Sequence, residues 1–85
     1  MGTEYDTAET LDVQGENCPM PVVKTKGATD DLQSEDVLEV LATDPGSMSD
    51  IKGWADTTEG VELVDQIESE RDGEAVYKHY VRKNE

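Results

Sequence analysis

The chain has 85 residues, of which 21 are acidic and 7 are basic, and its net charge is −14 at pH 7. This length accommodates one domain with a modest core, which excludes a large fold that encloses a cofactor. The charge also disfavours direct binding to nucleic acid, because the phosphates would be repelled.

The composition is compatible with two different states of the chain. Only 34% of the residues are hydrophobic and phenylalanine is absent, and low hydrophobicity with a high net charge is typical of disorder. The alternative is a folded protein in a salt-loving cytoplasm, where concentrated salt screens the repulsion between the acids. We favour the folded state, because the hydrophobic pattern along the chain is regular.

The N-terminal segment is polar, and we expect residues 1–9 to form a flexible extension. No Arg-rich leader is visible, and no stretch approaches the roughly 18 consecutive apolar residues of a membrane-spanning helix. We therefore expect a cytoplasmic protein with no membrane contact and a single domain over residues 10–85.

The first predicted strand leads into a segment that contains the only cysteine. Residues 10–13 predict a short strand, Gly15 marks a turn, and Cys18 follows in Asn-Cys-Pro-Met-Pro at residues 17–21. Proline suits the first turn of a helix, where its missing N–H costs nothing, so Pro19 and Pro21 mark a helix N-terminus.

Two positions for the start of this helix are compatible with the prolines. If Pro19 is the first helical residue, Cys18 is the N-cap and its sulfur accepts mainly from the Met20 N–H. If Pro21 is first, the N–H groups of Val22 and Val23 are the available donors. The second version fits better, because a residue that precedes proline avoids helical dihedral angles.

A thiol in this position is predicted to be reactive, because the first N–H groups of a helix carry partial positive charge and favour the thiolate. The alternative is a buried Cys18 that acts as a small hydrophobe. Asp12 and Glu16 oppose ionisation, whereas Lys24 and Lys26 lie farther along the helix, so we expect modest activation. As the only cysteine, Cys18 has no partner for an internal disulfide or a Cys-x-x-Cys redox pair.

Hydrophobic periodicity predicts the middle of the chain. The first helix is expected from Pro19 to about Leu32, and residues 37–42 form the clearest strand. A second helix is expected to begin at Asp44-Pro45 and to end near Gly60.

The last part of the chain is predicted to be a β-hairpin. Residues 61–67 form a third strand, Asp72-Gly73 is a hairpin turn, and residues 75–82 form a fourth strand. The order β-α-β-α-β-β predicts an α+β fold, a two-layer α/β sandwich with a mixed four-stranded sheet and two helices on one face.

Several motifs together resemble the TusA/SirA-like sulfur-carrier family, over residues 10–83. They are Leu11-Asp12, Gly15, Cys18-Pro19-Met20-Pro21, Thr43-Asp44-Pro45, Asp50-Ile51, Gly53-Trp54 and Tyr80-Val81-Arg82-Lys83. The resemblance implies the same sandwich and a sulfurtransferase in which Cys18 accepts sulfane sulfur as a persulfide. Pro19 and Pro21 are then the motif prolines, and Met20 occupies the variable position between them.

The resemblance also implies protein partners. The donor would be a cysteine desulfurase or a rhodanese-like protein, and the acceptor would serve tRNA thiolation, sulfur-cofactor synthesis, sulfur oxidation or selenium metabolism. We expect a monomer that needs no cofactor.

Other residues give weaker signals. His79 is expected to be structural or exposed rather than a base for Cys18, Trp54 is expected at the core or its rim, and no metal site is predicted. The alternative function is a non-catalytic redox-sensing or regulatory module, in which Cys18 is oxidised instead of carrying sulfur.

Overall fold

The computed structural model describes residues 7–17 and 20–84. Six elements follow one another in the order predicted from the sequence, and together they form a two-layer α/β sandwich. They are β1 (Glu9–Val13), α1 (Met20–Asp30), β2 (Val37–Ala42), α2 (Ser47–Thr57), β3 (Val61–Arg71) and β4 (Glu74–Lys83). The predicted fold class is therefore confirmed.

The four strands form one mixed sheet in the order β1-β2-β4-β3. Strand β1 pairs with β2 in parallel, which requires the crossover through α1, and β4 is antiparallel to both β2 and β3. Both β1 and β2 therefore end at the edge of the sheet where the β3–β4 hairpin turns. Within residues 7–17 and 20–84, strand β1 pairs with β2 alone.

The core lies between one face of the sheet and the two helices. Leu38, Val40 and Ala42 alternate along β2 and are completely buried, as the period of two predicts. Ile51 of α2 and Val81 of β4 belong to the same hydrophobic cluster. Trp54 packs against the edge of this cluster, in agreement with its expected place at the rim.

Helix α1 buries threonines where most helices bury aliphatic residues. Thr25 donates its hydroxyl hydrogen to the Pro21 carbonyl, and Thr29 donates to the Thr25 carbonyl, each at 2.6 Å. These bonds satisfy polar groups that would otherwise be buried without partners. The helix ends at Asp30, before the predicted Leu32, but Leu32 is still buried in the core.

Helix α2 begins at Ser47, so the predicted start at Asp44-Pro45 is wrong by about two residues. The Asp44 side chain accepts from the Gly46 N–H at 3.1 Å, and the Asp44 carbonyl accepts from the Ser47 N–H at 2.9 Å. Asp44 thus stabilises a turn before the helix, which is a second common role of aspartate beside proline.

The β3–β4 hairpin turns at Asp72-Gly73, as the sequence predicts, and both of its strands are longer than predicted. Asp72 and Gly73 have φ values of 53° and 84°, which is the left-handed geometry of a tight hairpin turn. A register shift between Leu63 and Asp65 marks a bulge in β3. The bulge explains why Asp65 interrupts the alternation in the sequence.

In the part of the chain that the structure describes, neither helix has the length and hydropathy to cross a membrane.

Candidate functional site

The predicted site occupies the connection between β1 and α1. Cys18 and Pro19 lie outside the described residues. Met20 is the first residue of α1 and is 40% exposed, whereas Pro21 is completely buried. Pro21 therefore anchors the first turn of the helix against the interior, while Met20 faces solvent.

The turn that leads to the site is built around Gly15. Its φ of 84° lies in the left-handed region, which glycine adopts without a steric penalty. The Gly15 N–H donates to the Thr43 hydroxyl at 2.8 Å, and the Glu16 N–H donates to the Val13 carbonyl at 3.2 Å. Because Val13 pairs with Ala42, the residues that follow the two strands are neighbours.

The first turn of α1 has a defined set of donors. The Met20 N–H donates to the Asn17 carbonyl at 2.9 Å, so a backbone acceptor already uses it. Pro21 has no N–H, which leaves those of Val22 and Val23 as the next in the chain. The helix begins at Met20, between the two starts at Pro19 and Pro21 that the sequence left open, and the expectation that Met20 avoids helical geometry because it precedes Pro21 is wrong.

The charges beside the site largely compensate one another. Lys24 forms an ion pair with Glu16 at 2.5 Å, and Lys26 lies 3.6 Å from Asp30 on its own helix. The first turn of α1 carries no acidic side chain. Since exposed pairs contribute at most about 1 kcal/mol, these two ion pairs add little net charge to the surface around the first turn of α1.

The first turn of α1 also presents an apolar surface. Met20 is 40% exposed and Val23 is 54% exposed, and residues three apart lie on the same side of a helix. They are two of the three large hydrophobic side chains that are exposed among the described residues; Ile67 is the third. Together these two side chains form a small apolar area on the first turn of α1.

An open groove lies at the same end of the sheet. It runs between the loop after β1, the segment after β2 and the start of β4. Its lining residues are Gln14, Gly15, Thr43, Pro45, Glu74, Ala75 and Tyr77. The surface beside the candidate site is thus concave and open to solvent.

His79 is part of a buried polar network. It is completely buried, and its Nε2 and Nδ1 lie 3.1 Å from the Ser47 Oγ and the Gln66 Nε2, respectively. The Gln66 amide also donates to the Met48 carbonyl at 2.7 Å, so Nδ1 accepts from Gln66 and Nε2–H donates to Ser47. Burial lowers the pKa of His79 from 6.5 to about 4.

This network confirms a structural role for His79, because both ring nitrogens are engaged. It joins the start of α2 to β3 and β4. Ser47 and Gln66 carry no local signal that marks them as partners of a histidine 32 and 13 positions away, so the sequence does not predict this network.

Among residues 7–17 and 20–84, no group of three or more histidine, cysteine, aspartate or glutamate side chains is arranged to hold a metal ion.

The fold and the connection that contains the only cysteine define a class of small α/β-sandwich proteins with one thiol between the first strand and the first helix. The chain belongs to the TusA family, because the family model described as Sulfurtransferase TusA matches residues 9–83. This family assignment confirms the resemblance drawn from the motifs, and it supports a role as a sulfur carrier.

Individual relatives agree with this assignment. A putative sulfur carrier protein of Halobacterium salinarum is 68% identical over 83 residues, which cover 98% of either chain. The sulfur carrier protein TusA of Allochromatium vinosum is 41% identical over 63 residues, or 74% of this chain and 82% of that protein.

A solved structure shows the same fold. The SirA-like protein of Desulfitobacterium hafniense superimposes with a TM-score of 0.74 at 26% sequence identity. The match covers 91% of this chain and 99% of the other.

Proposed function

We propose that this protein is a sulfurtransferase that accepts sulfane sulfur on Cys18 as a persulfide and passes it to an acceptor protein. The observation that carries the proposal is the position of the only cysteine in a TusA-family chain, in a Cys-Pro-x-Pro segment whose last two residues open α1. A relay needs one thiol, since the sulfur enters and leaves through the same atom.

The chemistry is a thiol–persulfide exchange in each direction. The Cys18 thiolate attacks the outer sulfur of a donor persulfide, a new S–S bond forms on Cys18, and the donor's S–S bond breaks. The donor cysteine leaves as a thiolate, and Cys18 carries the S–SH group. An acceptor thiolate then repeats the attack on the outer sulfur, which restores the Cys18 thiolate without an external oxidant or reductant.

The described residues around Cys18 support this exchange in two ways. In the sequence Cys18 stands two positions before the first residue of α1, and a helix N-terminus stabilises an anion by about 0.3–1 kcal/mol. Met20 and Val23 offer an apolar surface to a partner. Because the expected activation is small, we propose that docking of the partner completes the site.

The partners follow from the same proposal. The donor is a cysteine desulfurase or a rhodanese-like protein, and the acceptor serves tRNA thiolation or sulfur-cofactor synthesis. Contact with nucleic acid would then pass through the acceptor, because this chain has a net charge of −14. We propose that the protein acts as a monomer through a single domain, to which Glu9 belongs as the first residue of β1 rather than to the expected extension.

Intact mass spectrometry tests the proposal. After incubation with a cysteine desulfurase and cysteine, the protein should gain about 32 Da, the mass of one sulfur atom, and dithiothreitol should remove the gain. Cys18→Ser, with an unchanged circular dichroism spectrum, should gain nothing.

An oxidised thiol is the main competing product, and the reductant distinguishes it. A sulfinic acid adds a similar mass but survives dithiothreitol. A wild-type protein that takes up no reducible sulfur from desulfurase or rhodanese-type donors, and that is oxidised by peroxide at Cys18, would refute the carrier function in favour of redox sensing.

A further inference from the structure

We propose that Thr43 is a positioning residue for sulfur transfer, because its hydroxyl holds the backbone of Gly15 and so sets the orientation of the loop that leads to Cys18. The inference rests on the proposed function and adds to it a residue outside the Cys-Pro-x-Pro segment. Thr43 follows β2 and is separated from Gly15 by 28 positions in the sequence.

The hydrogen bonds of the loop show why Thr43 is distinctive. The Gln14 N–H bonds to the Asp12 carboxylate at 3.0 Å, and the Glu16 N–H bonds to the Val13 carbonyl at 3.2 Å. Each of these bonds joins residues two or three positions apart. They shape the turn, but they do not fix its position relative to the rest of the sheet. Among the hydrogen bonds of the described residues, the one from the Gly15 N–H to the Thr43 hydroxyl joins this loop to the segment that follows β2.

The position of β1 makes this bond important. Strand β1 lies at the edge of the sheet, so the loop that follows it has sheet support from β2 alone. On the other side the loop contacts α1 through the Glu16–Lys24 pair. That pair joins the ends of two long side chains, whereas the Thr43 hydroxyl, although also at an exposed position, bonds to the backbone itself and so orients the turn.

Orientation matters because transfer between two proteins requires the attacking thiolate to approach the outer sulfur of the persulfide in line with the S–S bond that breaks. Small misplacements of a reacting group lower the rate even when its reactivity is unchanged. One neutral hydrogen bond corresponds to a factor of about 2 to 12 in an equilibrium between held and released states. We therefore expect a change of this size in the transfer rate when the bond is lost.

Three variants separate orientation from general stability. Thr43→Val has nearly the shape of threonine but lacks the hydroxyl, and Thr43→Ser keeps the hydroxyl. Thr58→Val is the matched control, because the Thr58 hydroxyl also bonds to the backbone, at the Trp54 carbonyl, and lies in an extended segment after α2. All three are compared with the wild type in the full chain.

The experiment has a structural and a functional readout. Amide hydrogen exchange by NMR reports whether the Gly15 N–H is protected. Initial rates of Cys18 persulfide formation are measured with a protein donor, a cysteine desulfurase with cysteine, and with a small donor, sodium tetrasulfide. A small donor needs no docked orientation, so it reports the reactivity of the thiol alone.

We expect Thr43→Val to speed exchange at Gly15 and to slow loading from the desulfurase by about 2- to 12-fold, with tetrasulfide loading unchanged. Thr43→Ser should restore both, and Thr58→Val should match the wild type. Unchanged Gly15 exchange, an unchanged desulfurase rate, or an equal slowing with both donors in Thr43→Val would overturn the positioning role. A wild type that loads from neither donor would overturn this role and the proposed function together.

Discussion

Replacing His79 by glutamine should remove a specific pH dependence from the stability of this protein. In the folded chain His79 is completely buried, accepts from Gln66 and donates to Ser47. A proton added to Nδ1 would face the Gln66 N–H and would bring a charge into the interior. Glutamine fills similar space and can form hydrogen bonds, but it does not titrate.

The size of the effect follows from the two pKa values. The pKa of His79 is about 4 in the folded state and 6.5 in the unfolded chain, where water surrounds the imidazole. Below pH 6.5 the unfolded chain binds a proton that the folded chain refuses, so the free energy of unfolding falls as the pH falls and levels off below about pH 4. The full loss is about 3 kcal/mol, and about 2 kcal/mol is lost by pH 5.

Urea denaturation followed by the fluorescence of Trp54, the only tryptophan, measures this effect at pH 7.5 and pH 5. Both proteins are studied in the same concentrated KCl, so that the 21 acids contribute equally to each. The wild type should lose about 2 kcal/mol more than His79→Gln between the two pH values. Parallel pH profiles for the two proteins would refute a neutral, buried His79.

Three further predictions concern the fold. Because 21 acids oppose 7 bases, the free energy of unfolding should be larger in about 2 M than in about 0.1 M KCl, and equal values would contradict the screening argument. Leu38→Ala should cost about 2–5 kcal/mol in urea denaturation, because Leu38 is completely buried in the core; a loss below about 1 kcal/mol would show that the core collapses around it. Gly53→Ala should stabilise α2 by about 0.5–1 kcal/mol, since an added Cβ meets no atom within 4 Å, whereas Gly73→Ala should destabilise the hairpin, where φ is 84°. Thermal unfolding of this glycine pair checks both signs, and shifts in the same direction would contradict the backbone argument.

The elements that sequence analysis located best are those with a strong local signal. Strand β2 alternates apolar residues with a period of two, and Asp72-Gly73 requires the left-handed backbone of a tight turn. The start of α2 was misplaced because Asp44-Pro45 suits both a helix cap and a turn before a helix. The bulge in β3 was visible only as the interruption at Asp65.

The sequence by itself determined the order of the elements, the face that β2 buries and the choice of Cys18 as the candidate thiol, because these depend on periodicity, turn chemistry and the count of one residue type. Only the tertiary structure decided which distant residues meet. The insertion of β4 between β2 and β3 places His79 against Gln66 and under Ser47, and the pairing of Val13 with Ala42 places Gly15 beside Thr43. Such contacts follow from strand order and register, which are set by the packing of the whole sheet rather than by the preferences of neighbouring residues.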